Sequence, residues 1–194
     1  MCNHYVSPEA RDIERYWQLH PGNTWPVTPV FPRSQGPFIR AEGGSHEREL
    51  VFGQWGLIPW FAKMPKLTYS TNNARSEELG SKATFKHPWS QGKRCIIPAL
   101  SFDEPCWETG RNTWWQFRRA DKALWGLAGL WNAWTDKATG GLFELYDVDL
   151  ERRRMPADET HAQARPEARA GRAGQAQRGA PRVGRRRRVA ARES

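Results

Sequence analysis

Through residue 149 the apolar positions fall into short runs broken by Gly, Pro, Asn and Asp, and one early stretch carries helical spacing. Ser7-Pro8-Glu9 supplies an N-cap, a proline at the first helical position and an early acid, after which Ile13, Tyr16, Trp17 and His20 recur at the helical period. This predicts a helix ended by Pro21-Gly22, with its stripe facing the core and His20 structural. Residues 21–37 are rich in Pro and Gly and predict an ordered loop that returns Trp25, Val27, Val30 and Phe31 to the body. Residues 38–40 and 49–58 predict strands joined by a turn at 42–45, and the second run is apolar enough to be central. Pro59-Trp60-Phe61 follows, two aromatics that either plug a core or stand on the surface as a stacking platform; periodicity favours the plug.

The second half continues in the same texture. Residues 70–78 form a polar stretch opening a short helix, where Asn72 or Asn73 serves by default as a cap and alternatively as donor and acceptor to a reacting group. An aromatic, Pro-bounded connector at 85–89 leads into a short buried strand at 93–99. Residues 101–108 place Asp103, Glu104 and Glu108 among large apolar side chains. Exposed, they are turn acids, which is the commoner case; desolvated, a carboxyl there would have a raised pKa and could shuttle protons. Strands follow at 114–119 and 124–131 around a turn at 120–122, with Gly126 and Gly129 marking bulges or close packing, and another at 142–148. The fold class is therefore α+β and mostly β, a compact barrel or sheet core with a few short helices.

Composition sharpens the boundary. All 11 Trp, 8 Phe and 4 Tyr precede residue 147. Residues 151–194 carry 13 basic and 5 acidic residues, or +8, of the chain's +9. The high pI thus belongs to the tail and does not make the body a nucleic-acid binder. A domain over residues 1–149 and a disordered Arg-, Ala- and Gly-rich tail over 150–194 are expected, the tail having the composition of a GC-rich gene read out of frame. Arg185 to Arg188 could touch nucleic acid non-specifically. Three cysteines, Cys2, Cys95 and Cys106, form no CxxC pair and with five scattered His offer no zinc spacing, so no metal or cofactor is expected. With no signal peptide and no membrane-length apolar run, the expectation is a monomer in the reducing cytoplasm, with no membrane partner.

The most distinctive chemistry is at the start, Met1-Cys2-Asn3-His4. Loss of Met1 would leave Cys2 as a 1,2-aminothiol with an amine of pKa about 7.7 to 8.0 and a thiol near about 8.5. An aldehyde could then be captured as an imine and closed to a thiazolidine. A cysteine at a frayed terminus is otherwise incidental.

Six ordered motifs change that balance. With Met1-Cys2, Trp55-Gly56-Leu57-Ile58-Pro59-Trp60, Asn73-Ala74-Arg75-Ser76-Glu77, Arg94-Cys95-Ile96-Ile97-Pro98-Ala99, Phe102-Asp103-Glu104-Pro105 and Ala128-Gly129-Leu130-Trp131, the chain resembles the SRAP family of SOS-response-associated, abasic-site-processing proteins over residues 1–146. The resemblance implies covalent capture of abasic sites in single-stranded DNA. It makes Cys2 the nucleophile, Asn73 the group that holds and polarises the sugar, and Glu104 the proton carrier. It places Arg75 on phosphate and Trp60 or Phe61 on a base, puts His4 where an arginine contact is usual, and implies autocatalytic release of Met1. Departures are His4 itself, Asp103-Glu104-Pro105 in place of Tyr-Glu-Trp, and a late His with no counterpart beyond His161. The rival readings are a cysteine amidohydrolase with an N-terminal nucleophile, a non-covalent nucleic-acid-binding module, and an inactive truncated copy.

Overall fold

The computed structural model describes residues 2–41, 47–107, 110–149 and 160–164. In chain order its elements are β1 (His4–Ser7), α1 (Ala10–Trp17), β2 (Thr28–Val30), β3 (Gln35–Ala41), β4 (Arg48–Trp55), β5 (Asn73–Ala74), a 3-10 turn (Ser76–Glu78), α2 (Ala83–Ser90), β6 (Arg94–Ala99), β7 (Ser101–Cys106), β8 (Thr113–Arg119), β9 (Trp125–Thr135), β10 (Leu142–Asp149) and β11 (Thr160–Ala164). The expected mostly-β class holds. Among the described residues no helix is long and apolar enough to cross a membrane.

Strands β4-β3-β6-β9-β10 form one sheet, and β10 returns to β4 in parallel, Leu145 opposite Gln54 and Tyr146 opposite Trp55, so the sheet closes as a five-stranded barrel. Closure removes the edges that a sheet this apolar could not leave in water. The run 49–58 is central as expected, held by β3 on one side and β10 on the other. A second sheet, β11-β8-β7-β1-β2, packs against the barrel. Cys2, just before β1, and Tyr5, Val30 and Phe102 of that sheet share one buried cluster with Phe38, Trp55, Ile97 and Tyr146 of the barrel. Within it the hydroxyls of Tyr5 and Tyr146 hydrogen-bond at 2.6 Å, and burial raises both phenols, so the pair is neutral. Gly129, between β6 and β10, allows the close packing its sequence position suggested: a Cβ there would run into the Asp147 carbonyl and Ile97 Cδ1.

Several local expectations change. Helix α1 starts at Ala10, because Ser7 is the last residue of β1 and its Oγ accepts from Trp25 Nε1 at 3.0 Å instead of capping. It ends at Trp17, with Gln18 left-handed at φ 54°. Ile13 is buried, whereas Tyr16 is 51% exposed and His20, beyond the helix, is also exposed, so the core stripe is shorter than its periodicity. The loop 21–37 contributes β2 and the start of β3. The connector at 85–89 is helix α2, which buries Phe85 and Pro88 and tolerates the proline in a two-turn segment. The stretch 70–78 gives β5 and the 3-10 turn. Asp103 and Glu104 lie on β7, a strand, not in a turn, and Glu108 lies outside the described residues. In the supposedly unstructured tail, β11 pairs antiparallel with β8, His161 opposite Arg118. The 42–45 turn and the rest of the tail lie outside the described residues.

Two stability outcomes follow from this packing. Gly129→Ala should destabilise by about 3 kcal/mol through overpacking, read as a lower urea midpoint. Gly80→Ala is its control, since nothing lies within 4 Å of a Cβ there. Tyr146→Phe should cost about 1–3 kcal/mol by orphaning the buried Tyr5 hydroxyl, and adding Tyr5→Phe should restore most of that loss in a double-mutant cycle.

Candidate active site

Strand β1 lies between β2 and β7, with Tyr5 opposite both Val30 and Phe102 and His4 opposite Asp103. That register presents Cys2, two residues upstream, to β5. Strand β5 is itself docked by parallel pairing of Asn73 with Val148 and Ala74 with Asp149. Asn73 Nδ2 donates to the Cys2 carbonyl at 3.0 Å, and Asn72 Nδ2 reaches the same oxygen and Asn3 Oδ1 at 3.5 Å each. Asn72 is fixed in turn: its carbonyl accepts from Trp55 Nε1 at 2.8 Å and its Oδ1 accepts from Ser70 Oγ. Asn73 Oδ1 is enclosed and has no hydrogen-bond partner among the described residues, which leaves an amide acceptor beside Cys2. Asn73 thus points to the cysteine and is not a helix cap.

Cys2 is fully buried, and its thiol is pushed up to about 12. Loss of solvent is the chief cause, opposed by the His4 backbone and reinforced by the nearby Glu104 and Asp103 carboxylates, while the S–H donates to the His4 carbonyl at 3.4 Å. With Met1 in place the thiol is therefore a neutral S–H. Glu104, next along β7, is half-buried with Oε1 enclosed by protein, so it is no exposed turn acid. His4 is buried as well. Its Nδ1 lies 2.7 Å from Asp103 Oδ2, its ring stacks on Phe31 at 4.9 Å, and Gln116 Nε2 donates to Asp103 Oδ1 at 3.2 Å. His4, expected among the DNA contacts, is thus held inward by a carboxylate.

The remaining candidates are on the surface. Trp60 and Phe61 are 67% and 48% exposed and meet edge to face at 5.6 Å, so the core plug that periodicity favoured is overturned. Leu57 and Ile58 already fill the interior, and the two aromatics fall beyond it. Arg75 is exposed, immediately after β5. The connector that carries Trp60 and Phe61 also borders a cleft of about 340 Å³ lined from Pro32 and Arg33 to Asn3, the residue after Cys2, and Asn72, which reaches the Cys2 carbonyl. Among the described residues no cluster of His, Cys, Asp and Glu is arranged to hold a metal. Sequence reasoning missed the His4–Asp103 pair and the cleft, and no local pattern marked either.

The chain resembles several characterised proteins. The abasic site processing protein HMCES of Gallus gallus is 33% identical over 109 residues, which is 52% of this chain and 32% of that protein. The abasic site processing protein YoaM of Bacillus subtilis is 39% identical over 127 residues, 64% of this chain and 53% of that one. This chain therefore spans about a third to a half of these relatives. A solved structure of a protein from Bordetella bronchiseptica superposes with a TM-score of 0.66 at 31% identity, covering 84% of this chain and 82% of the other. The family model described as SOS response associated peptidase (SRAP) matches residues 1–148, and the chain belongs to that family.

Proposed function

We propose that this protein processes abasic sites in single-stranded DNA by covalent capture on Cys2. The observation that carries the reading is the convergence of Asn73 and Asn72 on the Cys2 carbonyl, with Glu104 in electrostatic reach of the thiol. The names of the relatives supply the substrate class. Hydrolysis of the peptide bond between Met1 and Cys2 consumes one water and frees the Cys2 amine. That amine attacks the aldehyde of the ring-opened sugar; a C–N bond forms, water leaves and an imine results, with Glu104 relaying the proton. The thiol then adds across the imine: sulfur bonds to carbon, its proton passes to nitrogen, and a thiazolidine closes.

A buried, protonated thiol suits this order. The amine leads, and the S–H contributes both atoms of the second addition. It disfavours the amidohydrolase rival, which needs a thiolate to attack first. Asn73 orients the sugar through its amide, Arg75 meets phosphate, and Trp60 and Phe61 replace stacking lost where the strand is splayed. His4 acts from behind, fixing the start of β1 through Asp103.

Incubation with an oligonucleotide bearing one abasic site should give a shifted band on a denaturing gel. Cys2→Ala should abolish it, and Asn73→Ala should slow its appearance by about 100-fold; a band that survives Cys2→Ala defeats the reading. The thiol has its own test. Mass-mapped alkylation of Cys2 at pH 8 should be about a thousandfold slower in the native protein than in urea, since its pKa stands near 12 when folded against 9.0 for a free thiol. The native rate should climb about tenfold per pH unit from 8 to 10. As the folded pKa is the raised one, stability contributed by burying this thiol is complete below pH 9 and is lost as pH rises toward 12.

A further inference from the structure

The cleft beside Cys2 has a lining of two kinds. Tyr69, Pro32 and Leu67 offer flat or apolar surface, while Gln54 offers a side-chain amide with a donor and an acceptor and Asn3 a side-chain N–H donor, its Oδ1 being engaged by Asn72. No carboxylate among the described residues lines it, and the lining cation, Arg33, donates from Nη2 to the Leu67 carbonyl at 2.9 Å, tying one wall to the other.

The turn that carries Arg33 is tightly determined. Ser34 Oγ accepts from the Phe31 N–H at 2.9 Å and donates to the Phe31 carbonyl at 2.7 Å, and the Arg33 N–H donates to the Trp55 carbonyl at 2.8 Å. Arg33 sits at φ 70°, a left-handed conformation that a non-glycine residue keeps only where its surroundings impose it. The opposite wall is held by the bond from Trp55 Nε1 to the Asn72 carbonyl. The cleft is therefore built before anything enters it.

Neutral amides around flat apolar surface suit a planar heterocycle with a hydrogen-bonding edge. A phosphate would want several cations, and an alkyl chain would leave the Gln54 amide and the Asn3 N–H donor without a partner. The volume takes one such ring and its waters, not a length of strand.

We propose that the cleft is a base-reading subsite. It takes one unstacked nucleobase of the single strand, next in line to the abasic sugar at Cys2, against Tyr69 and with its edge toward Gln54 and Asn3. The inference rests on the abasic-site reading above and adds a source of sequence context to it.

The test uses the full chain and oligonucleotides with a central tetrahydrofuran, a stable abasic analogue that cannot crosslink. The base on its 5′ or its 3′ side is kept, or replaced by a second tetrahydrofuran. Binding is followed by fluorescence anisotropy. Removing the base on one side should weaken binding by about tenfold, and removing it on the other should change little. Tyr69→Ala, in an exposed loop position, should erase that difference, and Gln54→Ala should flatten any preference among the four bases. Equal affinities with and without either base overturn the subsite, as does a difference that survives Tyr69→Ala in full. Loss of all strand binding overturns it together with the function on which it rests. Clear discrimination here, alongside no crosslink to a true abasic site, upholds the subsite and counts against covalent capture alone.

Discussion

The structure depends on β10 having three partners. It runs antiparallel to β9 along nearly its whole length, then pairs in parallel with β4 at residues 145 and 146 and with β5 at 148 and 149. The first parallel contact closes the barrel. The second, two residues on, sets Asn73 beside Cys2. Parallel bridges this short have little stability of their own, so both rest on two apolar clusters, one holding Trp55 and Tyr146 and the other Leu145, whose side chains are fully buried. The candidate site is thus an extension of barrel closure, and its geometry is inherited from the core.

Burial of Cys2 serves two ends that pull against each other. As a small apolar group it completes the contact between the two sheets. The same loss of solvent disfavours the thiolate far more than any neighbour favours it, which would silence the thiol in the nucleophilic role proposed above. The proposed route, which begins at the amine, would resolve the conflict, because an S–H that adds to an imine needs no prior ionisation.

How far the sequence revealed this varied with how local each feature is. The strands at 94–99, 113–119 and 142–149 were legible because short β-rich runs sit between turn residues, and the six motifs located Cys2, Asn73 and Glu104. Helix α1 was misplaced at its start because the Ser7 hydroxyl bonds Trp25, a residue 18 positions away. Helix α2 was hidden by Pro88. Periodicity misplaced Trp60 and Phe61 in the core, because apolar character alone does not say where an interior is already full, whereas the resemblance put them on the surface. The His4–Asp103 pair spans 99 residues, and the Arg33–Leu67 tie 34, so neither leaves a local pattern to find.

Trp55 joins these scales in one side chain. Its ring fills the barrel and its indole N–H secures the segment that carries Asn72 and Asn73. A substitution anywhere that loosens the barrel will therefore disturb the reactive end without touching it. Inactive variants of this chain cannot be assigned a chemical role from lost turnover alone; each needs an independent measure of its folded population, and the environment of this indole is a natural place to take it.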